Sequence, residues 1–132
     1  DLAEEYYDSE SAFKYYTIMH SSIDYTGIAS YPEQAVEKDK DGKEYIRGAG
    51  IDSIVEANII RDEKMLKLIL DNIPTDRKIK ALELGSGRGG LTRFIAKELI
   101  KQDKLTLMVA SNISEKENET NRVRAKEEGL SE

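Results

Sequence analysis

The run Ala81-Leu82-Glu83-Leu84-Gly85-Ser86-Gly87-Arg88-Gly89-Gly90 holds the residues of this 132-residue chain whose types and spacing point to chemistry. Glycines at alternate positions let a chain turn sharply and bring its backbone against a ligand with no Cβ in the way. Gly85, Gly87 and Gly90 fit the G-x-G-x-x-G spacing that receives dinucleotides, while Glu83 with Gly85, Gly87 and Gly89 fits a second pattern, acid-x-G-x-G-x-G. Glu83 separates the two. It stands two residues before the turn in an otherwise apolar segment, and a carboxylate taken out of water is costly unless a cation or hydrogen-bond donors meet it. The implied chemistry is recognition of a ligand that carries a cation beside the turn, through a charge-assisted hydrogen bond of about 1.5–3 kcal/mol. A dinucleotide has no such cation at that strand. The bland alternative is a glycine-rich turn with no ligand.

The elements that must position this turn are legible on either side of it. Ile79 to Leu84 reads as a short apolar strand, Leu91 to Ile100 as an amphipathic helix with Phe94, Ile95 and Leu99 on its apolar face, and Leu105 to Ala110 as a second strand. Ser114-Glu115-Lys116-Glu117 is a capping box that starts a helix, and Gly129 caps its far end. The order β-α-β-α predicts a parallel pair joined by a right-handed crossover in an open α/β sheet. Parallel strands belong to larger sheets buried on both faces, so residues 78–132 read as the first half of a domain, with the chain stopping partway through its fold. The start at Asp1 rather than Met fits a processed or partial chain. The unfinished sheet edge is a candidate surface for self-association.

Residues 1–77 read as a helical segment set ahead of that domain. Ser9 can cap a helix to about Ser21 that brings Phe13, Tyr16 and His20 near one face. The charged run Glu37 to Glu44, with Asp41-Gly42, reads as an exposed turn or loop. Asp52 is the expected cap of a long helix to about Leu70, with an apolar stripe of Ile51, Val55, Ile59, Leu66 and Ile69, and Pro74 lies in the segment that stops it.

Composition narrows the partners. With no cysteine and one histidine there is no thiolate zinc site, cysteine nucleophile or multi-histidine metal site, so no metal is expected. No apolar run reaches the roughly 18–20 residues of a membrane-spanning helix, and the acidic start is unlike a secretory signal, so the expected location is cytoplasmic and no membrane partner is expected. The net charge of −6 lies in residues 1 to 48, which hold eleven acids and five bases, and no basic block exists to neutralise phosphates. Nucleic acid is a disfavoured partner. The acidic part either suits a cationic ligand or simply solvates the surface.

Acid-x-G-x-G-x-G is the turn of class I S-adenosylmethionine-dependent methyltransferases. Together with Asn112-Ile113-Ser114-Glu115, Asn118, Asn121 and Arg122, and with Tyr6-Tyr7-Asp8, Phe13 and Tyr16, it resembles the sarcosine/dimethylglycine N-methyltransferases of glycine betaine synthesis along essentially the whole chain. Such enzymes run to about twice this length, one domain plus a lid. The resemblance implies the N-terminal part of a Rossmann-like class I methyltransferase fold with an N-terminal helical lid, truncated after the second strand-helix unit. It implies S-adenosyl-L-methionine as cofactor, held by Tyr7, Glu83, Gly85, Ser86, Gly87, Gly89, Asn112 and Ile113, with Tyr16, His20 and Tyr25 toward a small amine acceptor. Asn112 stands where ribose hydroxyls are recognised and offers one acceptor oxygen, or else it opens the next helix as an Asx turn. The tyrosines can meet a sulfonium or ammonium, or pack the lid helix. His20 can serve as a base or sit at a helix end. Competing readings are a phosphoethanolamine or other small-molecule methyltransferase, a non-catalytic adenosyl-binding or subunit-interaction module, and a nicotinamide-dependent oxidoreductase.

Overall fold

A computed structural model describes residues 5, 6, 8, 9, 36–46 and 51–130. In chain order these form a hairpin of β1 (Val36–Lys38) and β2 (Glu44–Ile46), helix α1 (Ile51–Asn72), strand β3 (Ile79–Leu84), helix α2 (Gly90–Lys101), strand β4 (Leu105–Ser111) and helix α3 (Glu115–Glu127). β3 and β4 pair in parallel, with Leu82 opposite Val109 and Glu83 opposite Ala110, as the β-α-β order requires. Beyond Ser9, the expected helix to Ser21 falls outside the described residues.

The charged run forms more structure than a loop. Asp39 Oδ1 accepts from the amides of Asp41 and Lys43, both at 2.9 Å, and Gly42 takes a positive φ of 79°. This turn closes the antiparallel pairing of β1 with β2, which the density of charge concealed.

Helix α1 departs from the expected pattern at both levels. Asp52 is its second residue and not its cap. Of the expected stripe, Ile59 is 45% exposed and Leu66 and Ile69 are half-buried, whereas Ala57, Asn58 and Asp62 are buried. Asp62 stands four residues before Leu66 and seven before Ile69, and Asn58 four before Asp62, so these buried polar groups share the stripe's own face and the helix turns polar side chains inward among its apolar ones. Asp62 is satisfied by its neighbour, Arg61, whose Nε and Nη2 donate to Oδ1 at 3.1 and 2.8 Å.

Helix α3 begins as expected at Ser114, whose hydroxyl accepts from the Glu117 amide at 3.2 Å. The reciprocal half of the capping box is replaced: the Glu117 carboxylate accepts from Asn112 Nδ2 at 2.6 Å. Its C-terminus closes with the Leu130 amide on the Ala125 carbonyl and the Gly129 amide on that of Lys126, with Gly129 at φ 70°.

Among the described residues the buried apolar side chains are Ala57, Ile95, Ala96 and Leu99, outnumbered by buried polar ones. The helices lie toward the Glu83 face of the sheet: Thr92 of α2 bonds Glu83, and α3 reaches α2 through Arg93. The opposite face carries Leu82 and Leu84, 63% and 76% exposed, with Leu107 and Val109 beside them, and no described element covers it. That open apolar face agrees with a parallel pair belonging to a larger sheet. No described helix is long and apolar enough to cross a membrane.

Leu99 is fully buried in so small a core. Leu99→Ala is expected to cost about 2–5 kcal/mol, read as a lowered urea midpoint at unchanged slope.

Candidate functional site

The glycine turn leaves the C-terminal end of β3 and feeds α2. Its geometry is fixed from two sides. The Ser111 carbonyl, at the end of β4, accepts from the amides of Gly85 at 2.7 Å and Ser86 at 3.0 Å, tying both strand ends to one rim. The Ser86 carbonyl accepts from the Gly89 amide at 2.9 Å, closing the turn on itself. Gly85, Gly87 and Gly89 all take positive φ, 71°, 53° and 80°.

Gly89 carries a second constraint that spacing does not reveal. A Cβ there would fall 1.9 Å from Oδ1 of Asn121, a buried residue of α3. Asn121 Oδ1 accepts from Arg93 Nη1 at 3.0 Å, and the same nitrogen donates to the Arg88 carbonyl at 2.6 Å. Arg93 Nε donates to Glu128 Oε1 at 2.9 Å, and Lys97 pairs with the other oxygen of that carboxylate. Helix α3 therefore buttresses the turn from behind, through a guanidinium that is only 5% exposed. Burial alone would push the Glu128 carboxyl upward, but the hydrogen bond from Lys97 and the charge of Arg93 outweigh it and hold the carboxyl below its ordinary value. Stability from this pairing is present above the ordinary carboxylate range and is lost as pH falls through the lowered value.

Glu83 points to the helix side of the sheet, half-buried, with Oε2 accepting from Thr92 Oγ1 at 2.5 Å. Desolvation is the largest influence on it and raises its carboxyl above the ordinary value. The Thr92 bond works in the other direction, the charge of Asp62 adds to the rise, and Arg61 opposes it. One hydrogen bond does not replace the water this carboxylate has lost.

Two groups of the turn are open. Ser86 Oγ is buried with no hydrogen-bond partner, and the Gly87 amide meets no acceptor among the described residues. A buried hydroxyl left unsatisfied costs about 1–3 kcal/mol.

At the second strand end, Asn112 gives Nδ2 to Glu117, its carbonyl accepts from Asn118 Nδ2 at 3.0 Å, and its Oδ1 remains as an acceptor. Ile113 is 46% exposed beside it. The N-terminal segment reaches this place: Ser114, fully buried, donates to Asp8 Oδ1, and Ser9 Oγ donates to the Tyr6 carbonyl at 2.7 Å. An open groove of about 1100 Å³ between β4, α2 and α3 is lined by Asn112 and Asn121 but by neither Glu83 nor the glycines, so the turn rather than the groove defines the site.

Glu83, Gly85, Ser86, Gly87, Gly89, Asn112 and Ile113 thus lie at the ends of the two parallel strands. Tyr7, Tyr16, His20 and Tyr25 lie outside the described residues. Sequence reasoning missed Thr92, Asp62 and Arg93, whose signal was faint: a hydroxyl, an acid and a base within helices, residue types that are ordinarily left to solvent. Among the described residues no cluster of His, Cys, Asp or Glu suits a metal ion.

No protein-family model matches this chain, and no curated protein sequence matches it. Its structure is similar to the crystal structure of a "putative sarcosine dimethylglycine methyltransferase" from Galdieria sulphuraria, with a TM-score of 0.63 and 22% identity, covering 95% of this chain. The chain has the α/β fold of that protein and spans 39% of its length.

Because the raised carboxyl of Glu83 means that folding opposes its ionisation, its cost is complete above the raised value and absent below the ordinary one. Glu83→Gln is therefore expected to raise the Tm of the ligand-free protein at neutral pH and to leave it unchanged in acid, measured by thermal unfolding across pH.

Proposed function

We propose that this chain is part of an S-adenosylmethionine-dependent N-methyltransferase acting on a small amine, with sarcosine and dimethylglycine as leading acceptors. The observation that carries the reading is Glu83, a desolvated carboxylate at the strand end beside the glycine turn, half-satisfied by Thr92. The α-ammonium of an adenosyl amino acid supplies the missing cation, whereas a nicotinamide dinucleotide presents its anionic pyrophosphate to such a turn. Similarity of fold to a structure described as a sarcosine dimethylglycine methyltransferase supports the same reading.

The chain's residues fit that cofactor. Glu83 would receive the ammonium, Ser86 Oγ and the Gly87 amide would meet polar groups of the amino-acid end, and Asn112 Oδ1 would accept from a ribose hydroxyl. When bound, the cofactor supplies an electrophilic methyl on a sulfonium. The protein's task is to hold an unprotonated amine in line with that methyl, and orientation supplies most of the acceleration. Tyr16, His20 and Tyr25 are proposed to meet the acceptor, and Tyr7 the cofactor. The acidic composition of residues 1 to 48 favours a cationic acceptor over a phosphorylated one such as phosphoethanolamine.

Titration calorimetry is expected to give binding of S-adenosylhomocysteine and none of NAD, with at least about tenfold weaker binding by Glu83→Gln, the loss of one charge-assisted contact. Radiolabelled methyl is expected on sarcosine or dimethylglycine, at a rate that rises from neutral toward alkaline pH as the amine loses its proton. Binding of NAD alone overturns the cofactor assignment, and label on phosphoethanolamine alone overturns the acceptor.

A further inference from the structure

Glu117 is 4% exposed, and Oε2 of its carboxylate accepts from Asn112 Nδ2 at 2.6 Å. The two ends of an asparagine amide are alike in shape and opposite in hydrogen bonding, so the surroundings decide which end faces which way. An ionised carboxylate only accepts, so it draws the NH2 end toward itself and turns Oδ1 away. The Asn112 carbonyl is held by Asn118 Nδ2 at 3.0 Å, which fixes the backbone from which this side chain springs. Asn112 follows Ser111 directly, and the Ser111 carbonyl binds the amides of Gly85 and Ser86, so Oδ1 belongs to the same rim as the glycine turn.

We propose that Glu117 is a positioning residue that fixes Asn112 as a hydroxyl acceptor, the pair doing jointly what one carboxylate at the strand end would do. The ligand group is a ribose hydroxyl of the adenosyl compound, so the inference rests on the cofactor assignment above. It reverses an ordinary expectation. Aspartate, the better acceptor in isolation, is the wrong residue at position 112, because its carboxylate would face that of Glu117 across a hydrogen-bond distance. Glu117→Gln removes the negative charge while keeping an acceptor oxygen, and it makes aspartate at position 112 acceptable again, since the new side-chain amide can donate to it. A purely structural Glu117 would move stability in these variants and leave ligand discrimination alone.

The test is a double-mutant cycle by titration calorimetry, using S-adenosylhomocysteine and its 2′-deoxy and 3′-deoxy counterparts, with thermal unfolding of each variant alongside. Asn112→Asp is expected to weaken S-adenosylhomocysteine at least about tenfold, Glu117→Gln to stay within about threefold of wild type, and the double variant to recover most of the loss, differences of the size of one charged hydrogen bond. Wild type is expected to reject one of the deoxy counterparts at least about tenfold, and Glu117→Leu, which frees the amide to rotate, to lose that preference. Tighter or unchanged binding by a folded Asn112→Asp overturns the proposal, as does intact discrimination in Glu117→Leu. If Asn112→Asp does not unfold cooperatively, the Glu117→Leu discrimination decides. Wild type that binds no adenosyl compound overturns the cofactor assignment and this inference together, whereas tight wild-type binding with a flat cycle overturns this inference alone.

Discussion

The cost of holding the Glu83 carboxylate partly out of water is the constraint around which the described fold is arranged. Six residues of β3 carry it to the sheet's C-terminal edge, α2 turns back so that Thr92 can donate to it, and α1 brings the Arg61–Asp62 pair into its surroundings. Thr92 limits the cost and Arg61 helps, but Asp62 outweighs Arg61 and adds to the desolvation that still raises the carboxyl above its ordinary value. A chain selected for stability alone would place an aliphatic residue here, like the Leu82 and Leu84 on either side. Sites that bind charge commonly retain such a local cost, which the ligand then relieves.

The glycine turn shows the same exchange between local freedom and tertiary restraint. Three positive φ values make the turn flexible in isolation, and the protein restrains it from outside. Arg93 binds the Arg88 carbonyl, Asn121 fills the space above Gly89, and Glu128 with Lys97 anchors Arg93 from the end of α3. The helix after the second strand thus supports the turn after the first. The buried residues near the site are consequently polar, and the apolar core is small.

Much of this was legible in the sequence where physics is local. Periodicity located β3 and α2 and placed β4 to within a residue, Ser114 announced α3, and the alternation of element types fixed the parallel pairing. Glu83 was legible because a lone acid in an apolar strand asks for a partner. What failed was non-local. The stripe of α1 gave no sign that Asn58 and Asp62, which interrupt its face, would be buried along with it. The capping-box pattern sent Glu117 back to its own helix, while a sequence neighbour outside the helix, Asn112, captured the carboxylate. The turn within 36–46 was legible from Asp41-Gly42, but the pairing of β1 with β2 across it was not, because three-residue strands dense in charge are too short to show an alternation.

The most direct measurement of the central claim is the proton count of ligand binding. Calorimetric titration of S-adenosylhomocysteine in buffers of different ionisation enthalpy, at a pH just above the ordinary carboxylate range, reports protons released or taken up. An ammonium docking on Glu83 favours its charged form and draws its raised carboxyl back down, so wild type is predicted to release protons on binding and Glu83→Gln to release none. Equal proton exchange in the two proteins, or tight binding with no release by wild type, would contradict the assignment of Glu83 as the partner of the ligand's cation.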